Sequence, residues 1–196
     1  MFMFSLLFTY FESKSSLTLN EAERSLIAER FKFKKLRRKQ YFLQEGDVCK
    51  FMGFIANGAA RMYSVDDKGN EHIMRFGMES WWIGDYESYM LQTPSVYFID
   101  MVEDSELLMI TKDDISELIK DVPVVAETIK AIDKQGAIAT QKRIHAFISQ
   151  TAQERFETLE KTYPKFLQRF PQAMIASYLG ITPETLSRIR KNKLYS

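Results

Sequence analysis

Cysteine and histidine are scarce in this chain of 196 residues, which contains one cysteine and two histidines. The single cysteine, Cys49, cannot form a disulfide within the chain, and it cannot supply the four thiolates of an iron–sulfur cluster or a structural zinc site. Two histidines add too few ligands for a metal cluster, so we expect no protein-ligated metal. This cysteine usage is typical of a reducing compartment, and we expect a cytoplasmic protein.

Long apolar segments are also lacking. Residues 1–11 are apolar, but they fall short of the roughly 20 residues that a transmembrane helix needs. They lack the basic start and the small-residue cleavage site of a signal peptide. We therefore expect a helix that packs on the rest of the protein and no membrane partner, with an uncleaved anchor as the alternative.

The charged residues are unevenly distributed, although the net charge is only +1. Residues 64–121 contain 14 acidic and 4 basic residues, whereas residues 151–196 contain 4 acidic and 8 basic residues. An acidic middle with a basic C-terminal part indicates that only part of the molecule approaches a polyanion. The hydrophobic fraction of 45% and the 15 phenylalanines are sufficient for folded cores.

A further basic segment lies at residues 30–39, seven of which are Lys or Arg. Such a run is compatible with nucleic-acid binding. Its apolar positions, Phe31, Phe33 and Leu36, fit equally well with a strand at the edge of a sheet whose lysines face solvent. We favour the solvent-facing strand.

Residues 41–110 have the pattern of short β-strands separated by turns. Asn57-Gly58 and residues 66–70 have turn composition, and residues 71–76 alternate polar and apolar side chains. Many short strands at regular spacing, without intervening helices, predict an antiparallel roll or sandwich.

A long helix is predicted from Pro123 to Gln150. Seven residues recur in it at alternating spacings of four and three: Val125, Ile129, Ile132, Gly136, Ala139, Arg143 and Ala146. This is the heptad pattern of a helix that packs along a second helix. Gly136 and Ala139 are small enough to let two such helices approach closely. We interpret it as a dimerisation seam; an ordinary helix of the protein's own core is the alternative.

Residues 171–191 have the pattern of two short helices joined by a tight turn. Gly180 suits the turn, and Ala176 is small enough to let the second helix cross the first. Apolar residues occupy the core that such a pair shares: Ile175, Leu179, Ile181, Leu186 and Ile189. The segment is therefore predicted to be a helix-turn-helix.

The second helix of this pair has its own start signals and a polar face. Thr182 can cap it, Pro183 suits its first turn and Glu184 complements its dipole. On the polar face, the Glu184 carboxylate can accept from cytosine N4, and Arg188, four residues later, can bind guanine O6 and N7. The alternative is a plain helical hairpin in which Glu184 and Arg188 form an ion pair, but it leaves the cationic end of the helix unexplained.

The combination of these features resembles the cyclic-AMP receptor and fumarate–nitrate regulator (Crp/Fnr) family of bacterial transcription regulators. The resemblance covers residues 20–193 and is carried by Glu45-Gly46-Asp47, by residues 67–71 and by residues 175–188. It implies an α+β fold. The expected parts are an N-terminal antiparallel β-roll like a cyclic-nucleotide-binding jelly roll, a long dimerisation helix and a C-terminal winged helix-turn-helix.

The resemblance also implies domain boundaries and DNA contacts. The sensor roll is expected at residues 1–121, the dimerisation helix at residues 122–150 and the DNA-binding domain at residues 151–196. Glu184 and Arg188 match the family's base-reading residues. Phosphate contacts are expected from four polar or basic side chains: Thr182, Thr185, Arg190 and Lys191. The receptor protein itself carries a base-reading Arg at the position of Pro183, so we expect a different recognised sequence.

Family members that bind cyclic nucleotides have a cassette in which a Glu binds the ribose and an Arg neutralises the phosphate. This chain has Phe76-Gly-Met-Glu-Ser80, with the Glu one residue late, and no Lys or Arg between Arg75 and Lys112. A buried cyclic phosphate would lack a charge-assisted partner, so cyclic AMP is not expected and the effector is unknown. The remaining candidates for an effector pocket are small or polar residues: Gly77, Glu79, Ser80, Thr93 and Ser95.

Two further alternatives concern the sensor. Four aromatic residues either fill the would-be pocket or are core residues without a ligand: Trp81, Trp82, Tyr86 and Tyr89. A haem sensor that uses His72 or Cys49 is the other alternative.

The sequence therefore predicts a homodimeric, sequence-specific DNA-binding regulator that reads a near-palindromic site, and that contacts RNA polymerase if it is an activator. The runner-up is a cyclic-nucleotide or small-molecule binding module whose terminal helices serve protein contacts. A metalloenzyme on the roll would need about three convergent His or carboxylate ligands, and His72 is the roll's one histidine. We expect no enzyme and no cofactor.

Overall fold

The N-terminal segment is helical and packs on the body of the protein. The computed structural model describes residues 2–194, beginning with α1 (Phe2–Lys14) and α2 (Glu21–Arg30). Leu7 and Phe11 of α1 are fully buried, in one cluster with Phe54 and Trp82. The prediction of a packed N-terminal helix is confirmed. In the described part of the chain, no helix is both long enough and apolar enough to cross a membrane.

The middle of the chain forms two four-stranded sheets. The strands are β1 (Lys32–Leu36), β2 (Tyr41–Leu43), β3 (Met52–Asn57), β4 (Ala60–Val65), β5 (Glu71–Gly77), β6 (Trp82–Ile83), β7 (Phe98–Met101) and β8 (Ser105–Ile110). The strand orders are β1-β8-β3-β6 and β2-β7-β4-β5. Antiparallel pairing joins β8 to both β1 and β3, which confirms the predicted antiparallel roll.

One helix interrupts the strands, contrary to the sequence prediction. It is α3 (Tyr86–Leu91), which follows β6. Its start is fixed by Asp85, whose carboxylate accepts from the backbone N–H of Glu87 at 3.1 Å and of Ser88 at 3.4 Å. An acidic side chain at this position satisfies the free N–H groups of a helix start. The helix is only six residues long and lies between short strands, so the sequence pattern did not indicate it.

The basic segment at residues 30–39 forms an edge of the first sheet. β1 is the outermost strand, and its lysines are exposed. Lys35 pairs with Glu106 on the neighbouring β8. Charged side chains on an edge strand discourage pairing with another chain, so this placement supports the favoured solvent-facing interpretation.

The C-terminal part of the described chain is helical. It comprises α4 (Lys112–Asp121), α5 (Pro123–Ser149), α6 (Ala152–Thr162), α7 (Phe166–Arg169), α8 (Gln172–Leu179) and α9 (Pro183–Leu194). Residues 151–194 contain no strand, so the wing expected beside the helix-turn-helix is not found there. The residues between α6 and α8 instead form the short α7, whose Phe166 is buried edge-on against the ring of Phe170.

The chain divides into two compact units at positions that the sequence did not predict. The first unit contains the chain up to Met62 together with Phe76–Gly136, and the second contains Tyr63–Arg75 together with the chain from Ala137 onward. One boundary lies within α5, between Gly136 and Ala137, whereas the sequence predicted boundaries at the two ends of this helix. The hairpin between β4 and β5 groups with the C-terminal helices.

A buried ion pair lies inside the roll of the first unit. Arg61 of β4 donates from Nε to Asp100 Oδ1 of β7 at 2.8 Å and from Nη2 to Oδ2 at 3.0 Å. Both residues are buried. A bidentate contact between planar groups fixes both distance and orientation, so it fixes the position of β4 relative to its neighbour β7 in the sheet.

Replacing Asp100 with alanine is expected to lower the free energy of unfolding by about 3–5 kcal/mol, because the buried Arg61 guanidinium loses this carboxylate. Urea denaturation of the purified protein measures the change. The double variant Arg61→Met/Asp100→Leu removes both charges and should recover most of the loss. A loss under about 1 kcal/mol in the single variant would contradict the role given to the pair.

Candidate nucleic-acid interface

The predicted helix-turn-helix is present as α8, a three-residue turn (residues 180–182) and α9. Gly180 ends α8 with a left-handed backbone (φ 67°). The N–H of Gly180 donates to the carbonyl of Ser177, and the N–H of Ile181 donates to the carbonyl of Ala176, both at 3.0 Å. This is the usual hydrogen-bonded end of a helix that turns at glycine.

Apolar residues from both helices fill the space between them. The fully or nearly fully buried members are Ile175, Ala176, Leu179 and Leu186, whereas Ile181 and Ile189 are half-buried. The predicted core of the pair is therefore confirmed. Burying this face leaves the opposite face of α9 in solvent.

The start of α9 is stabilised by Thr182, which precedes the helix, and by Glu184 and Thr185 in its first turn. The Thr182 hydroxyl accepts from the Thr185 N–H at 3.2 Å and donates to the Thr185 hydroxyl at 3.2 Å. The pKa of the exposed Glu184 carboxyl is lowered by hydrogen bonds from its own N–H and from Thr182. Glu184 is therefore an ionised acceptor at neutral pH, held at the positive end of the helix.

The exposed face of α9 forms a shallow concavity of about 500 Å³, lined by Pro183, Glu184, Ser187, Arg188 and Lys191. We call this set the α9 face. Arg188 is exposed and donates to the Thr185 hydroxyl at 3.4 Å. In the described part of the chain, no ion pair joins Glu184 to Arg188, so the interaction expected of a plain helical hairpin is not made.

Two further basic residues lie near the end of α9. Lys191 belongs to the α9 face, and both Lys191 and Arg190 are exposed. Because successive helix positions are about 100° apart, Arg190 projects from an adjacent side. The predicted phosphate-contacting residues therefore occupy the start of the helix, its exposed face and one flank.

The predicted effector residues are engaged by the protein itself. Glu79 Oε1 accepts from the Gly58 N–H at 3.0 Å, and the Ser80 N–H donates to the Ile55 carbonyl at 2.9 Å. A Cβ at Gly77 would lie 2.8 Å from Ile55 Cδ1. These residues hold the turn after β3 and pack β5 closely.

The other two predicted effector residues belong to the loop around α3. The Thr93 carbonyl accepts from the Ser88 hydroxyl at 2.5 Å. Ser95 is buried, and its hydroxyl donates to the Asp85 carboxylate at 2.7 Å. A phosphate bound at Ser95 would meet the like charge of Asp85, and residues 76–111 contain no cation. The residues present do not fit the phosphate of a cyclic nucleotide.

The remaining sensor candidates also have structural roles. Trp82 and Tyr89 are buried core residues, whereas Tyr86 is exposed. Cys49 is buried, and burial raises the pKa of its thiol. His72 pairs with Asp66 at 3.0 Å. Across residues 2–194, no group of three His, Cys, Asp or Glu side chains is arranged to hold a metal ion.

The predicted dimer seam splits between core and surface. Val125 is fully buried in the core of its own chain, and Ile129 and Ile132 are half-buried against the same core. Gly136 and Ala139 are exposed. The prediction for Val125 is corrected: the first turns of α5 pack inward on α1 and α4, a tertiary contact that a heptad spacing cannot distinguish from a dimer contact.

Exposed apolar residues on the second half of α5 were missed in the sequence. Ile144 is 55% exposed and Ile148 is 81% exposed. They lie four residues apart, and Ala137 precedes Ile144 by seven, so all three share one face of the helix. The spacing of these residues is present in the sequence, but the longer pattern through Val125 indicated a different face of the helix.

Comparisons with known proteins agree with this architecture. Residues 33–122 match the family model of cyclic nucleotide-binding domains. A fumarate and nitrate reduction regulatory protein from Yersinia pestis is 26% identical over 184 residues, covering 88% of this chain and 73% of the relative. An anaerobic regulatory protein from Haemophilus influenzae is 25% identical over 184 residues, covering 88% and 71%.

Solved structures share the fold. FixK2 from Bradyrhizobium japonicum superposes with a TM-score of 0.68 at 16% identity, covering 83% of each chain. The c-di-GMP responsive global regulator CLP of Xanthomonas campestris gives 0.68 at 12% identity, covering 90% of this chain and 92% of its own. The catabolite activator protein of Thermus thermophilus gives 0.56 at 19% identity, covering 89% and 83%.

Thr182 has two separable roles, as the cap of α9 and as a candidate phosphate contact. Thr182→Ala should cost about 0.5–2 kcal/mol of folding stability through loss of the cap. Thr182→Asp keeps a capping acceptor but places a negative charge at the expected phosphate. We therefore expect wild-type thermal stability from Thr182→Asp, with nucleic-acid affinity at least about tenfold weaker, measured by fluorescence anisotropy.

The control is Thr151→Asp, because the Thr151 hydroxyl likewise caps a helix, α6, and accepts from the Glu154 N–H at 3.3 Å. The Thr151 hydroxyl also donates to the Glu154 carboxylate at 2.9 Å, so this control compares affinity and not stability. It should leave nucleic-acid affinity unchanged. Wild-type affinity in Thr182→Asp would rule out a phosphate contact at this residue.

Proposed function

The chain belongs to the Crp/Fnr family of bacterial transcription regulators, and on that premise we propose that it binds double-stranded DNA in a sequence-specific manner through the α9 face. The observation that carries the proposal is the chemistry of this face. An ionised carboxylate at Glu184 and a guanidinium at Arg188 are both exposed, one helical turn apart, and no internal ion pair joins them among the described residues.

Each residue type on the α9 face suits one part of a DNA duplex. The Glu184 carboxylate can accept from cytosine N4, and Arg188 can donate to O6 and N7 of a guanine. Lys191 and Arg190 are placed to neutralise phosphates, together with the hydroxyls of Thr182 and Thr185. The two base-reading side chains are close enough to read the same or neighbouring base pairs.

A homodimer would place two α9 faces on one duplex. Two recognition helices that enter successive major grooves lie about 34–36 Å apart and read a near-palindromic site. Gly136 and Ala139, the exposed second half of the predicted seam, would form the helix-to-helix contact. The exposed Ile144 and Ile148 lie on a different face of α5 and are not part of that seam. This interface would leave Val125 in the core of its own protomer.

The proposed division of labour keeps the domains as predicted, with the sensor roll at residues 1–121, the dimerisation helix at residues 122–150 and DNA binding at residues 151–196. We propose that the protein is not an enzyme and that any effector of the roll is not cyclic AMP. Contact with RNA polymerase is expected if the protein activates transcription.

Selection of duplexes from a random pool by the purified protein tests the proposal. We expect enrichment of a near-palindrome, and we expect cyclic AMP to change neither its sequence nor its affinity. Arg188→Ala should weaken binding to that site by about 5- to 150-fold, because one bidentate base contact is lost, and should relax the preference at one base pair per half-site.

The control variant is Lys120→Ala, which removes one exposed positive charge from α4 and should leave the selected site and its affinity unchanged at matched salt. The same palindrome bound equally well by Arg188→Ala would contradict base reading by this residue. No enrichment, even with cell extract added, would favour the small-molecule binding module that acts through protein contacts.

A further inference from the structure

β5 is an edge strand whose free side is occupied by side chains from the C-terminal helices. It is the last strand in the order β2-β7-β4-β5, and its residues up to Arg75 belong to the same compact unit as α8 and α9. An edge strand leaves backbone N–H and C=O groups without a strand partner. Buried or half-buried groups of this kind must be satisfied in another way.

Ser177 of α8 bonds twice to the backbone of β5. Its hydroxyl accepts from the Ile73 N–H at 2.9 Å and donates to the Glu71 carbonyl at 2.9 Å. Residues 71 and 73 are two apart, so their backbone groups face the same side of the strand. One hydroxyl therefore takes the place of part of a neighbouring strand.

Arg143 of α5 binds backbone carbonyls of both β5 and α8. Its guanidinium donates to the carbonyls of Met74 and Ile73, the latter at 3.3 Å, and to the Tyr178 carbonyl at 3.4 Å. It also lies 4.3 Å from the centroid of the Tyr178 ring. A planar cation can donate within its plane and stack on a ring at the same time.

The last residue of α8 is held by side chains from α6 and α5. The Arg155 guanidinium donates to the Leu179 carbonyl at 3.2 Å and lies 5.1 Å from the centroid of the Phe147 ring. That ring fills the space beside Gly180, where an added Cβ would lie 2.7 Å from it. The back of α8 is thus fixed from Ser177 to Gly180.

We propose that Ser177 and Arg143 are positioning residues for DNA binding, which fix α8, and through it the α9 face, to the edge of β5. We call the two residues and their bonds the β5 clamp. This inference rests on the proposed function. The clamp engages α8 at Ser177 and at the Tyr178 carbonyl, whereas the α9 face is exposed. It therefore orients the reading helix and does not cover it.

The strand that the clamp binds is continuous with the roll through its own backbone. β5 continues from Arg75 into Phe76 and Gly77, which belong to the first compact unit. A shift of this strand would move the groups that Ser177 and Arg143 bind. Release of the clamp would leave α9 free to sample more orientations, which lowers the affinity for DNA.

The test is Ser177→Ala, read by two measurements on the full-length protein. Exchange of the Ile73 amide proton, followed by NMR, should become about five- to tenfold faster, the change expected for losing one net hydrogen bond. Affinity for the selected duplex should fall by about the same factor, with the preferred sequence unchanged. Ser177→Thr, which keeps the hydroxyl, should restore both readouts.

Ser149→Ala is the matched control. The Ser149 hydroxyl donates to the His145 carbonyl at 2.8 Å within α5 and touches neither β5 nor α8. Arg143→Lys, which keeps the charge but loses the planar donor geometry, should reproduce the loss of affinity. If Ser177→Ala lowers the melting temperature, the DNA affinity of Arg143→Lys tests the same inference with a second variant.

The outcomes separate this inference from the proposed function. Faster Ile73 exchange with DNA affinity within twofold of wild type would overturn the positioning role while leaving DNA binding intact. Tighter DNA binding by Ser177→Ala would overturn it in favour of an inhibitory contact, and unchanged exchange would mean that the clamp does not form. A wild-type protein that binds no duplex would overturn both proposals.

Discussion

The relation between the two C-terminal helices depends on the left-handed backbone of a single residue, Gly180. A residue with a side chain would adopt this conformation at a cost of about 1–2 kcal/mol, and its Cβ would also collide with the Phe147 ring. Both constraints act at the point where α8 ends. The turn therefore sets the direction of α9, which side of α9 is buried by Leu186, and which side remains in solvent.

Arginines on the supporting helices extend this constraint into the rest of the second unit. Arg143 and Arg155 each combine bonds to backbone carbonyls with a contact to an aromatic ring. Carbonyls at a helix end and at a strand edge have no partner within their own element. A guanidinium, with five donors in a plane, can serve several of them at once. The carbonyls of β5 and of the end of α8, which lack a partner in their own element, thus hold α8 in place through these two arginines.

Much of this architecture could be predicted from local sequence signals. The helix-turn-helix is encoded within one segment, where Gly180 specifies the turn, Thr182 the cap and Leu186 the buried side. The antiparallel roll followed from turn residues between short strands, and the resemblance to the Crp/Fnr family came from the same residues.

Contacts between distant segments could not be predicted. Val125 fits a heptad pattern, yet it packs against the N-terminal helix, because periodicity defines a face and not its partner. Arg143 continues the same heptad pattern, yet its guanidinium donates to carbonyls of β5 and α8 in its own chain. The local sequence around Ser177 likewise gives no sign that β5 lies beside it. Ser95 shows the same limit: its position in the chain fits an effector pocket, but the sequence does not show that its hydroxyl donates to the Asp85 carboxylate.

The central claim is that the α9 face reads base edges in the major groove. Methylation interference at guanine N7 on the selected duplex tests it most directly. The account predicts two guanines, related by the symmetry of the site and about 10 base pairs apart, whose methylation blocks wild-type binding. It also predicts that Arg188→Ala loses this dependence at those guanines alone. Binding that is indifferent to N7 methylation, or an interference pattern that is identical in the variant, would contradict the claim.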